Sequence, residues 1–266
     1  MTSESDIIVE RKGAVCTLTI NRPEKRNALT PECLARMADV LDSLADDGSV
    51  RAVVLRGAGE RVFSAGYDIT ALPTDSGVAE RLDPGAESPL ERTIQAMRRF
   101  PYPVIAMLNG DAFGGACELA ICCDIRIQAK HARMGMPPAK LGLVYPYAGY
   151  RRFLALLGLS RALEIFLTGR TYDSAQCLGL GLVNYVVPAE QLSPFTYDMA
   201  EEIADNAPLS LRGSKAALYK IAETPVLTSS EEVELQSLFV RSLQSEDVKE
   251  GKRAFREKRK PRFQGR

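Results

Sequence analysis

The sequence predicts an α/β fold with mainly parallel strand pairing, and two observations predict it. Apolar runs of strand length recur at residues 7–9, 14–20, 52–55, 104–108, 125–127 and 183–187, with helical patterns between them. A strand that follows a helical crossover re-enters the sheet in the same direction as the strand before it. At 266 residues, 45% hydrophobic and 26% charged, the chain is long enough for one large core or two unequal parts.

The clearest helix runs over 30–45. Thr30 is a candidate N-cap, and Pro31 suits the first helical position because its missing N–H would have no helical partner anyway. Leu34, Met37, Leu41 and Leu44 then recur at helical spacing. Residues 71–90, with Pro73, Gly77, Pro84, Gly85 and Pro89, read as a long polar loop, and loops of that length are usually functional or mobile. From about Pro188 the strand signals stop, and 191–206, 208–223, 229–244 and 246–258 read as successive helices. The expected organisation is a core over 1–190 and a helical region over 191–266 that packs on the core or on another subunit.

Composition narrows the function. Lysine plus arginine equals aspartate plus glutamate, at 34 each, so overall charge makes no case for nucleic acid or an anionic membrane. The N-terminal residues are polar and acidic, no apolar stretch approaches the ~18 residues of a membrane span, and the cytoplasm is the expected location. The six cysteines, Cys16, Cys33, Cys117, Cys122, Cys123 and Cys177, form no CxxC framework and read as free buried thiols. His131 is the single histidine and lies in a polar patch. That removes HExxH zinc chemistry, weakens any Ser-His-Asp or Cys-His arrangement, and leaves carboxylates, tyrosines and backbone to carry the chemistry.

The run from Asn109 to Glu118 joins an apolar strand to an apolar helix, with Gly114 and Gly115 where the helix begins. N–H groups at a helix start lack helical partners and carry partial positive charge, and glycine lets a ligand approach them closely. Glu118, three residues after Gly115, shares its helix face. An anion-stabilising N–H with a carboxylate one turn away is the apparatus for forming and protonating an enolate. A second Gly-containing turn over 61–69 offers further N–H groups, and two such turns converging on one carbonyl oxygen form an oxyanion hole. Read from the residues alone, Glu118 also suits a paired structural carboxylate, and Tyr145 suits simple packing beside Tyr147 and Tyr150.

The run from Asn21 to Leu29, then Phe63 to Ile69, Asn109 to Glu118, Thr168 to Arg170, Gly179 to Val183 and the basic segment Ala254 to Pro261 together resemble the crotonase (enoyl-CoA hydratase/isomerase) superfamily over nearly the whole chain. The resemblance implies an α/β ββα superhelix followed by a C-terminal helical trimerisation region, assembled as a homotrimer or a dimer of trimers. It also implies an acyl-CoA thioester as substrate, with coenzyme A part of that substrate and no separate cofactor or metal. Tyr67 and Gly115 become the oxyanion-hole donors. Lys25 and Arg26 are placed for the CoA phosphates, and Ala28, Ala65, Gly66, Asp68, Ile69, Gly114 and Pro137 for the rest of the CoA and acyl group. Phe255 and Lys258 reach CoA as well, from the same or a neighbouring subunit.

Hydratases of this superfamily use two glutamates, and Pro138 stands where the second is expected. Proline can neither hold water nor move a proton, so hydration by a carboxylate pair is disfavoured and Glu118 becomes a lone acidic group. The segment Leu141-Gly142-Leu143-Val144-Tyr145 followed by Gly149 resembles the methylmalonyl-CoA decarboxylase branch, although that branch has histidine at the Tyr67 position. The expected reaction is therefore decarboxylation of a small malonyl-type thioester, with Tyr145 orienting the departing carboxylate and Glu118 positioning substrate or delivering a proton. An ionised Glu118 would repel that carboxylate, so it is expected to be protonated, turned away or used as strain. The alternatives are an enoyl-CoA hydratase or isomerase with Glu118 as its only carboxylate acid/base, and a non-catalytic or RNA-binding relative.

Overall fold

A computed structural model describes residues 6–68, 88–223, 230 and 245–266. Ten strands and nine helices are seen among the described residues. β1 (Ile7–Lys12), β2 (Val15–Ile20), β3 (Ala52–Gly57), β5 (Val104–Leu108), β7 (Ile125–Ala129) and β10 (Tyr185–Val187) form one sheet in the order β1-β2-β3-β5-β7-β10. β1 and β2 make an antiparallel hairpin, and every other pair is parallel, as the alternation of strands and helices predicts. A smaller sheet holds β4 (Val62–Ser64), β6 (Asp111–Phe113), β8 (Met134–Gly135) and β9 (Thr171–Tyr172) in the order β4-β6-β8-β9.

The central strands are continuously apolar because both faces of the large sheet are covered. On β3, Val53 and Leu55 join one core while Ala52 and Val54 join another. On β5, Val104, Ala106 and Leu108 face the first, and Ile105 and Met107 the second. α1 (Pro31–Asp47) packs on the first side against α2 (Pro89–Arg99), and α7 (Ala189–Asp205) covers the other with Leu192, Ala200 and Ala204. α1 begins as predicted, with Thr30 accepting from the Cys33 N–H and Pro31 at its first turn.

The 71–90 loop is corrected at its end. Ser88 caps α2 by accepting from the Glu91 N–H, and Pro89 is its first residue, so a proline read as a breaker is a helix start. Residues 71–87 lie outside the described residues, as does all but residue 230 of the helix expected over 229–244. The remaining helices are α3 (Gly115–Ile121), α4 (Tyr147–Leu157), α5 (Leu159–Thr168), α6 (Ser174–Leu180), α8 (Pro208–Glu223) and α9 (Glu246–Glu257). Among the described residues no helix is long and apolar enough to cross a membrane. All six cysteines are free, five of them buried. His131 is exposed, with its Nε2 3.0 Å from the Glu60 carbonyl oxygen.

Candidate active site

Two turns from different sheet connections meet where α3 begins. Residues 26–29 run alongside 65–68. The Ala65 N–H donates to the Arg26 carbonyl, the Leu29 N–H to Gly66, and the Asp68 N–H to Leu29. Leu29 and Tyr67 thus form a parallel bridge in which Leu29 uses the residues on either side of Tyr67. The Tyr67 N–H takes no part in these bonds. An ideal Cβ on Gly115 would stand only 3.5 Å from the Tyr67 nitrogen, so the two N–H groups named from the sequence are neighbours. Gly66 permits the approach. It has φ of 96°, and a side chain there would meet the Phe113 carbonyl and come within 3.3 Å of the Gly115 nitrogen.

Asparagines hold this frame. Asn27 donates to the carbonyls of Ala58 (3.0 Å) and Val62 (2.8 Å), and its Oδ1 accepts from the Arg22 N–H. Asn109 accepts from the Gly57 N–H and donates to the carbonyls of Gly57 and Gly59. Each asparagine ties loops that are distant in sequence, replacing backbone partners that the turns give up. Lys25 and Arg26 are exposed beside the 65–68 turn, Arg26 and Asn27 with positive φ. Ala28 and Asp68 are half-buried, Gly66 is buried and Ala65 exposed. Gly114, half-buried, caps α3, and its N–H donates to the Gly135 carbonyl (3.0 Å), which brings the strand leading to Pro137 alongside. Ile69 lies outside the described residues, as does the Phe255 side chain. Lys258 is exposed just beyond α9, with no hydrogen bond to the Gly115–Tyr67 frame among the described residues.

Glu118 sits one turn into α3 and is 3% exposed. The Tyr145 hydroxyl donates to its Oε2 at 2.5 Å, and Arg152 Nη1 donates to its Oε1 at 2.7 Å. Arg152 Nη2 is held by both oxygens of Glu91, at 2.5 and 2.6 Å, and Gln95 donates to Glu91 in turn. The carboxylate is paired, which matches the reading of Glu118 as a paired carboxylate. Burial pushes the Tyr145 hydroxyl well above the ordinary tyrosine range, and the neighbouring Glu118 charge pushes it further. Burial works against the charge of Arg152, but its hydrogen bonds to Glu91 and Glu118 hold its pKa above the ordinary value. Burial would raise Glu91, yet the bonds from Arg152 and Gln95 leave it below the usual carboxylate range.

Tyr145 differs from expectation in one respect. Its proton is directed at Glu118, leaving none to donate to a substrate carboxylate. Its ring packs on Phe166 (5.6 Å between centroids) and Tyr150 (6.2 Å), so the packing role and the polar role coexist. Pro138 is buried and opens a short 3-10 turn, Pro138–Leu141. It lines a cavity of about 550 Å³ with Leu143, Leu154, Leu163, Phe166 and other apolar residues, and that lining contains no carboxylate. Cys117, beside Glu118, is buried with its thiol pushed far up by burial, which makes it packing rather than a nucleophile.

A sequence model of the family described as enoyl-CoA hydratase/isomerase matches residues 10–266. The chain belongs to that family. It is 35% identical to a short-chain-enoyl-CoA hydratase of Clostridium acetobutylicum, over 96% of each protein. It is 33% identical to a methylmalonyl-CoA decarboxylase of Escherichia coli, over 94% of this chain and 95% of that one. A crystal structure of an enoyl-CoA hydratase/carnithine racemase from Magnetospirillum magneticum matches with a TM-score of 0.90 at 34% identity, over 99% and 97% of the two chains. This chain is accordingly an enzyme of the crotonase superfamily with that fold. Glu118, Tyr145 and the two N–H donors were named from the sequence. Arg152 and Glu91 were missed, because Glu91 follows directly on the stretch read as a loop, Arg152 reads as an ordinary solvated charge, and no motif links positions 61 residues apart.

Proposed function

We propose that the enzyme stabilises the enolate of an acyl-CoA thioester between the Tyr67 and Gly115 N–H groups, and that its reaction is decarboxylation of a small malonyl-type thioester such as methylmalonyl-CoA. The observation that carries this reading is Pro138, a buried proline that opens a 3-10 turn at the position where the resemblance expects a second glutamate, so that position supplies no carboxylate to work with Glu118. Addition of water by a carboxylate pair needs two acid/base groups, whereas decarboxylation needs none to begin. The bond from the α-carbon to the departing carboxylate breaks, its electron pair moves into the thioester carbonyl, and carbon dioxide leaves. The oxygen then carries the negative charge, and each N–H donor there is worth about 3–4 kcal/mol in the transition state. The α-carbon takes a proton through the Tyr145–Glu118 pair, which water replenishes. The Arg152 charge offsets that of Glu118 and relieves the repulsion a substrate carboxylate would meet.

Hydration or isomerisation of an enoyl-CoA, with Glu118 as the only carboxylate acid/base, is the second reading. The hydratase names of more similar relatives and the commitment of the Tyr145 proton to Glu118 favour it. In either case Lys25 and Arg26 serve the CoA phosphates, the 65–69 turn the adenine, and Phe255 and Lys258 a further part of CoA. Assembly as a homotrimer or dimer of trimers belongs to the same proposal. It is supported by exposed apolar side chains such as Leu159, Leu163, Leu167 and Leu218, which such contacts would cover.

Purified enzyme given methylmalonyl-CoA and crotonyl-CoA separates the readings. Carbon dioxide release is the expected result, and steady hydration of crotonyl-CoA with no carbon dioxide would overturn it. Glu118→Gln should lower turnover by about 10²–10⁴-fold, the usual contribution of an acid/base group. Full decarboxylation by Tyr145→Phe would remove the hydroxyl from the mechanism.

A further inference from the structure

Glu91, Arg152 and Glu118 come from three different helices, α2, α4 and α3, and form one row of alternating charge. A carboxylate as buried as Glu118 is costly unless paired and hydrogen-bonded, and Arg152 supplies the pairing with a nitrogen of its own. The other nitrogen is clamped by both oxygens of Glu91. Because the guanidinium is rigid and planar, fixing one end against Glu91 fixes the direction from which the other reaches Glu118 Oε1. Joining α4 to α2 would need Glu91 alone. The second nitrogen is spent on the one carboxylate that stands a helical turn from Gly115.

We propose that Arg152 is a positioning residue for the reaction, holding the Glu118 carboxylate in one orientation with Oε2 turned to Tyr145, and that Glu91 sets the orientation of Arg152. The proposal rests on the reading that Glu118 moves the proton at the α-carbon. Each Glu118 oxygen accepts one of the two bonds and keeps a further lone pair, so the carboxylate is held without being used up. Arg152 itself does not touch the substrate. Its removal should therefore slow proton transfer while leaving CoA recognition intact.

The test uses butyryl-CoA in deuterium oxide, followed by loss of the α-proton signal. In this exchange the α C–H bond breaks, the proton passes to Glu118 and the electron pair moves to the thioester oxygen. A deuteron taken up from solvent then returns to carbon. It requires neither water addition nor loss of carbon dioxide, so it reads the enolate step whichever overall reaction holds. Arg152→Met should slow exchange at saturation by about 10- to 100-fold, the span expected for a hydrogen bond to a charged group, with KM nearly unchanged. Arg152→Lys should recover part of the rate, since it restores the charge but not the fork, and Glu91→Gln should fall between Arg152→Lys and wild type.

Wild-type rates in Arg152→Met, or a loss confined to KM, would overturn the proposal. Should Arg152→Met fail to fold by thermal melting, Arg152→Lys decides on the same criteria. Unchanged exchange in Glu118→Gln, or no exchange in the wild type, would instead overturn the reading of Glu118 and the proposal with it. Loss of exchange in Glu118→Gln with normal rates in both Arg152 variants would overturn the Arg152 proposal alone.

Discussion

At the scale of single residues, the site depends on a side chain that is not there. A Cβ on Gly149 would stand 2.6 Å from Tyr145 Cδ1 and 3.2 Å from Glu118 Oε1. The glycine opens the space in which the tyrosine lies against the carboxylate, and Arg152 follows one turn later on the same helix. Gly149→Ala should cost about 1–3 kcal/mol through overpacking and displace the Tyr145 hydroxyl, lowering turnover more than it raises KM. Urea midpoints and steady-state kinetics measure the two effects, and a variant with wild-type turnover would show that the ring is free to shift. Gly149 and Tyr145 were legible as parts of one segment, whereas the Arg152–Glu91 link was not. The composition of α4, with two arginines among apolar residues, explains its arginines as a solvated face, and only the packing of α2 against α3 brings a carboxylate to one of them.

At the scale of elements, the regular pieces were legible where local chemistry and burial agreed. Thr30 and Pro31 announce α1, and the apolar runs at 52–55 and 104–108 announce buried parallel strands. α2 escaped because Ser88 and Pro89 end a breaker-rich stretch, and the same dipeptide signals a stop or a start. The docking of α8 was equally hidden. Lys215 is buried, and its ammonium donates to the carbonyls of Met97 (3.0 Å) and Tyr102 (2.9 Å) and to Asp124 (2.8 Å). Tyr219, one turn on, donates to the other Asp124 oxygen at 2.9 Å. A lysine on a helix reads as solvated, so the sequence carries no sign of this anchor. Lys215→Met removes the charge that balances Asp124 and should destabilise the protein by about 3–5 kcal/mol, as breaking a buried pair does. A urea midpoint equal to wild type would show that Tyr219 and the backbone suffice.

At the scale of the whole molecule, the six thiols gathered in the core on one face of the large sheet act together on stability. Burial raises the pKa of all six cysteines, to about 11 for Cys16, Cys33 and Cys177, to about 12 for Cys122, and well above the ordinary thiol range for Cys117 and Cys123. In the unfolded chain a thiol ionises near 8.5, so above that pH the unfolded state sheds protons that the folded state keeps. Stability therefore falls as pH rises from about 8.5 towards 11, by about 1.4 kcal/mol per pH unit for each thiol that is still protonated only when folded. Tyr145 and Tyr219, also raised first by burial and then by a neighbouring carboxylate, add the same sign above about pH 10. Lys215, lowered by burial, opposes them as a single group. The melting temperature should hold steady between pH 6.5 and about 8 and then drop steeply. In Cys33→Ala, which removes a fully buried thiol, the drop should be shallower by one thiol's share. A melting temperature that stays level to pH 10 would mean that the unfolded chain keeps these thiols protected, and that their burial does not govern the response to alkali.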